Sequence, residues 1–131
     1  MNKTISIDWD GTLADWPGGE YIPSVSGPMK PGAADFVLRL QDLGYTVVIL
    51  SCRAATILGA LAIQRVLAAN DIEIEVISDE KVPSIAYIDD RAMSFRGDWT
   101  DPMQLLQIKN KINDLEGLAA RAKEQNDAPA D

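Results

Sequence analysis

Three short apolar runs in this chain each end on polar, chemistry-bearing side chains, and they alternate with stretches of helical periodicity. The first starts at Thr4 and breaks at Asp8-Trp9-Asp10-Gly11-Thr12. The second, Tyr45 to Leu50, ends on Ser51-Cys52-Arg53, and the third, Ser84 to Ile88, ends on Asp89-Asp90. Runs of this length bounded by glycine and polar residues suit strands covered on both faces. Strands alternating with helices imply parallel βαβ units, right-handed crossovers and helices on both faces of one sheet. Ligands of such sheets sit beyond the carboxyl ends of the strands. The expected architecture is a three-layer, Rossmann-like α/β fold whose site lies where these runs end.

Pro31 suits the first turn of a helix through Leu43, with Phe36, Val37 and Leu40 at helical spacing and Gly44 as its stop. Ala54 to Ala69 carries a broad apolar stripe from Ile57 to Leu67, closed by Asn70-Asp71. Ile72 to Ile77 alternates apolar residues with Glu73 and Glu75, which places that strand at a sheet edge with one wet side. Asp101 and Pro102 open a last helix carrying Leu105, Leu106, Ile108, Ile112 and Leu115, which Gly117 stops or weakens. The segment from Asp15 to Lys30, rich in Pro, Gly and Ser, reads as a flap without a core. Residues 1–122 form one expected domain, and the polar tail 123–131 is expected to be frayed or disordered.

With 131 residues, 47% of them hydrophobic, the chain supports one core. No apolar run approaches the roughly 20 residues of a spanning helix, and the N-terminal run is too short for a signal peptide. A soluble cytoplasmic protein without a membrane partner is expected. The net charge of -8 disfavours loose binding to a nucleic-acid backbone, though a local basic pocket can still hold a small phosphate. One cysteine and no histidine exclude an internal disulfide, the usual zinc sites and histidine-assisted nucleophiles.

In an extended strand residues i and i+2 point the same way, so Asp8 and Asp10 can face one site while Trp9 points to the other side, into the core. Gly11 lets the chain turn away. Two adjacent acids repel each other, and a divalent cation relieves that repulsion. Cys52 reads as a small buried residue; a cysteine phosphatase would want an arginine six positions on, where Leu58 stands.

The order of these features resembles the haloacid dehalogenase superfamily, whose members are mostly magnesium-dependent phosphatases. Asp8-Trp9-Asp10-Gly11-Thr12 looks like its first motif, Ser51 its second, Lys81 its third and Ile88-Asp89-Asp90 its acidic fourth. The resemblance implies that Asp8 is the nucleophile that carries an aspartyl phosphate. It implies that Asp10 protonates the leaving oxygen, activates water and offers its backbone carbonyl to Mg2+. Ser51 and Lys81 would contact the phosphoryl group, Gly11, Thr12 and Cys52 would help to bind it, and Asp89 would complete the metal shell. Asp90 would ligate through water or orient its neighbours, and Arg53 would clamp phosphate or pair with an acid.

Larger members of that superfamily carry a cap domain, for which the gaps here leave no room. Either the substrate is bulky, or a second subunit covers the site as a homodimer, or specificity is loose. Glu20, Tyr21 and Lys30 on the flap are placed to touch a leaving group. The implied function is a Mg2+-dependent phosphomonoesterase acting on a small phosphorylated substrate. Phosphoryl transfer to another acceptor, trimming of a nucleic-acid terminal phosphate, and a non-catalytic metal- or phosphate-binding module remain the alternatives.

Overall fold

The structure, a computed structural model, describes residues 2–127. Four strands, β1 (Thr4–Ile7), β2 (Thr46–Leu50), β3 (Val76–Ser78) and β4 (Ala86–Ile88), form one parallel sheet in the order β3-β2-β1-β4. Among the described residues three helices accompany them, α1 (Ala33–Asp42), α2 (Ile57–Ala69) and α3 (Pro102–Asp127), with a 3-10 turn at Cys52–Ala55. This all-parallel α/β arrangement is compatible with a Rossmann-like three-layer fold. The chain divides into two compact units between Arg91 and Ala92, where one domain through residue 122 was expected.

In the first unit the central strands are β1 and β2, and their alternation decides where the core lies. Ile5, Ile7 and Trp9 from β1 and the turn beyond it join Val47 and Ile49 from β2, Val37 from α1, and Ile63 and Leu67 from α2 in one buried cluster. Both helices therefore pack on the same face of the sheet, as right-handed crossovers stepping in one direction require. Trp9 is fully buried, and its indole N–H donates to the Ser26 hydroxyl at 2.8 Å, which satisfies the polar end of a core side chain.

Helix α1 starts at Ala33, after Gly32 in the left-handed region, so Pro31 stands outside it. Gly44, at φ 90°, ends it: the amides of Leu43, Gly44 and Tyr45 turn back onto the carbonyls of Arg39, Gln41 and Leu40. The expected edge strand is shorter than its alternating pattern and shifted to Val76–Ser78, yet it does sit at the edge. Strand β4 departs from expectation: only Ala86–Ile88 pairs, at the opposite edge, and all three residues are exposed instead of buried. An apolar run reads alike whether one or both of its flanks are covered.

In the second unit Asp101 caps α3 as expected, accepting from the Met103 amide at 2.9 Å and from Arg96 Nε at 2.9 Å. Those bonds hold the Asp101 carboxyl below its ordinary value. Phe95 packs on Trp99 with ring centroids 4.5 Å apart. Helix α3 passes through Gly117 and reaches Asp127, so residues 123–127 of the expected tail are helical. One glycine costs only about 1 kcal/mol in a helix interior, too little to stop one of this length. The rest of that tail, 128–131, lies outside the described residues.

Candidate functional site

The parallel register brings the polar ends of the strands level with one another. Ile7 lies beside Ile49 and Ile88, so the next residues along, Asp8 and Asp89, emerge together at the carboxyl edge. The Asp8 amide donates to the Ile88 carbonyl at 2.9 Å, and the Ser51 amide to the Ser78 carbonyl at 2.9 Å, carrying both ladders one residue past the strands. A cavity of about 760 Å³ opens there, lined among others by Asp8, Asp10, Ser51, Cys52, Asp79, Lys81, Asp89 and Arg91. Four remote segments thus contribute to one site.

Asp8, Asp89 and Asp90 each offer a carboxylate oxygen, and these oxygens lie within 4.8 Å of one another. Such a hard, anionic, all-oxygen donor set fits Mg2+ better than a soft metal. Partial burial pushes the Asp8 carboxyl up to about 6, and the charges of Asp89 and Asp90 add to the rise. Hydrogen bonds from the Trp9 amide and the Thr12 hydroxyl oppose it. The Thr12 oxygen lies 3.2 Å from Asp8 and 2.9 Å from Asp90, and it accepts from the Asp90 amide at 3.0 Å. Gly11 makes this closeness possible: its φ is 81°, and a Cβ there would stand 2.8 Å from an Asp90 carboxylate oxygen.

Asp10 has a different environment. Arg53 Nε donates to its Oδ2 at 2.8 Å and Nη2 to its Oδ1 at 2.9 Å, a bidentate pair in which the Arg53 side chain is wholly buried. Nη1 donates to the carbonyls of Ile22 and Pro23, both at 2.9 Å, so one guanidinium ties the turn after β1 to the flap. The 3-10 turn aims Arg53 inward: Ser51, its N-cap, accepts from the Arg53 amide at 3.2 Å. Because Ser51 accepts there through oxygen, its O–H can still donate into the cavity.

Of the sequence candidates, Asp8, Asp10, Ser51, Cys52, Lys81 and Asp89 line the cavity. Gly11, Thr12, Arg53 and Asp90 are not among its lining side chains. Of the two roles open to Arg53, it takes the pairing with an acid: it is wholly buried and donates to Asp10 and to the flap carbonyls. Thr12 likewise binds within the acid cluster. Asp10 stands outside the carboxylate trio, which leaves its backbone carbonyl as the group through which it could reach a cation. Cys52 is exposed at the cavity, against the expected burial, since the 3-10 turn sends Arg53 inward and its neighbour outward. Lys81 Nζ sits 4.8 Å from the centre of the Tyr87 ring.

Of the other polar or aromatic lining residues, Trp16, Asp79 and Arg91 were not sequence candidates, whereas Tyr21 was expected to touch a leaving group. Arg91 follows the acidic pair directly, and its amide donates to Asp89 at 2.8 Å, so its position after the last strand was a usable signal. Trp16 and Tyr21 come from the flap, where position alone marked Tyr21 and nothing in the spacing marked Trp16 beyond its size. Tyr21 lies with its ring centre 5.0 Å from the Arg53 guanidinium and nearly parallel to Trp16. Partial burial raises its hydroxyl above the usual value, and the adjacent Cys52 adds to that.

No family model matches the chain, and no curated protein matches it. The chain is similar to a solved structure of a conserved protein coded by a locus from Bacteroides thetaiotaomicron. The TM-score is 0.57 and the identity 23%, over 83% of this chain and 93% of that one. A likeness at this identity supports the α/β fold alone. No helix among the described residues is long and apolar enough to cross a membrane.

Proposed function

We propose that the protein is a Mg2+-dependent phosphomonoesterase that works through an aspartyl phosphate on Asp8. The observation that carries this reading is the convergence of Asp8, Ser51, Lys81 and Asp89 on one cavity at the carboxyl edge of a parallel sheet. Asp8, Asp89 and Asp90 would hold the cation, which would supply positive charge to offset the repulsion between a carboxylate nucleophile and an anionic ester.

In the first step an Asp8 carboxylate oxygen bonds to phosphorus while the ester P–O bond breaks, and the leaving oxygen takes a proton from Asp10. In the second, water gives its proton to Asp10 and bonds to phosphorus, and the acyl phosphate P–O bond breaks to release inorganic phosphate and regenerate Asp8. Lys81 and the Ser51 hydroxyl stabilise the phosphoryl charge that passes between these states. Both Asp10 oxygens accept from Arg53, so to carry a proton one of them must exchange an arginine N–H for it. The Arg53 grip thus orients Asp10 toward the ester and confines it to small movements.

Phosphate release from an aryl phosphate with Mg2+, compared between the protein and Asp8→Asn, tests the reading. Turnover that needs both Mg2+ and Asp8 supports it, and equal turnover by both proteins removes Asp8 as nucleophile.

A further inference from the structure

The flap brings to the cavity something the phosphoryl chemistry does not require. Trp16 and Tyr21 are stacked with ring centroids 6.0 Å apart and planes 9° from parallel. They remain 44% and 41% exposed and line the cavity that holds Asp8 and Lys81. Two large aromatics left this open, in a loop held by a fixed point, contribute little to the core. The fixed point is Arg53, whose guanidinium lies 5.0 Å from the Tyr21 ring centre and donates to the next two carbonyls, those of Ile22 and Pro23. The same side chain grips Asp10, so the aromatic pair is held in register with the acid that faces the leaving group.

We infer that Trp16 and Tyr21 form a platform on which the base of a nucleoside monophosphate stacks while its phosphate lies at Asp8. The inference rests on the phosphomonoesterase reading and assigns its substrate class. Bases offer a flat π-face that stacks on aromatic rings, with an energy that translates to about tenfold or more in affinity. The cavity, about 760 Å³, falls in the range of roughly 300–1,000 Å³ of pockets that enclose whole small ligands, well beyond a phosphoryl group alone. Lys81 and Arg91 supply local positive charge for one phosphate, while the net charge of -8 repels the extended backbone of a polynucleotide.

Steady-state kinetics on the full chain test this with nucleoside monophosphates, a sugar monophosphate and a 3′-phosphorylated oligonucleotide. The nucleoside monophosphates are expected to exceed the other two in kcat/KM by at least about tenfold, and that ratio is expected to fall by about tenfold in Trp16→Ala. Equal kcat/KM across the three classes, preference for the oligonucleotide, or an unchanged ratio in Trp16→Ala overturns the platform. Asp8→Asn titrated with a nucleoside monophosphate and Mg2+ gives a readout free of turnover and of the platform variant. Quenching of tryptophan fluorescence that is absent with a sugar monophosphate is expected, and equal quenching by both overturns the platform. Base-selective binding without turnover of any monoester by the unaltered protein would instead retain the platform and sink the phosphatase reading.

Discussion

Asp8 and Asp10 stand two residues apart, face the same cavity and have opposite electrostatic settings. Around Asp8 the nearest charges are other carboxylates, and its own carboxyl is pushed up to about 6. Around Asp10 a buried guanidinium meets both oxygens within 3 Å. One side of the site is charge-balanced by the protein itself, and the other, on the proposed reading, by a cation from solution. A nucleophile benefits from a cation that arrives with the substrate, whereas a proton carrier benefits from a fixed orientation.

The contrast is broken most severely by removing the charge of the proposed nucleophile. Asp8→Asn keeps the shape of the acidic side and removes the proposed nucleophile, so phosphate release should fall by about 10³-fold or more, as when other covalent nucleophiles are deleted. A residual rate within tenfold of the unaltered protein would show that the two sides do not differ in the proposed way.

On the balanced side the expected loss is one of stability. Arg53→Ala leaves Asp10 facing an emptied interior and strips the Ile22 and Pro23 carbonyls of their donor, a cost of about 3–5 kcal/mol for a broken buried pair. Arg53→Lys keeps the charge without the fork that reaches two oxygens and two carbonyls together, and it should recover only part of that loss. Urea midpoints of the three proteins check this, and a Lys variant as stable as the parent would reduce the pair to a simple charge contact.

The two sides also differed in how far the sequence disclosed them. Asp8, Ser51 and Asp89 stand directly after apolar runs, and parallel strands align their ends, so their meeting followed from run order alone. The Asp10–Arg53 pair joins residues far apart in the chain through a 3-10 turn, and no periodicity records which way such a turn aims a side chain. The same turn hid the exposure of Cys52. Trp16 and Tyr21 lie in a proline- and glycine-rich loop, where spacing carries no facing information, so their stacking emerges only with the Arg53 contacts that hold it. Strand β4 shows the limit for the frame itself: its apolar run predicted a strand correctly and its burial wrongly.

A smaller effect is expected at Thr12, which links the two sides in sequence but serves only the acidic one. Thr12→Val removes the hydroxyl that donates to Asp8 and Asp90 and accepts from the Asp90 amide, at a cost of about 1 kcal/mol. If the hydroxyl works only within the acid cluster, Mg2+ affinity measured by calorimetry should weaken while the Arg53-dependent part of stability stays the same. Loss of both would mean that the two sides are not separable.

The smallest effect is a pH dependence confined to the acidic side, and its sign distinguishes the two settings. Asp8 has a raised folded-state value, about 6 against 3.8, so between those pH values the native chain binds more protons than the unfolded one. Unfolding free energy therefore falls as pH rises through that window, opposite to the behaviour of a salt-bridged carboxylate. Discounted for solvent screening at a partly open site, the contribution is about 1 kcal/mol, present at pH 4 and lost by pH 7. Other acids titrate over the same range, so the quantity to measure is the difference between the metal-free protein and Asp8→Asn in EDTA. The variant should gain stability relative to the parent as pH rises from 4 to 7. Mg2+ should raise the parent's melting temperature more at pH 7 than at pH 4, because protons and the cation compete for the same oxygens. Parallel pH curves for parent and variant would mean that Asp8 is as well balanced by the protein as Asp10.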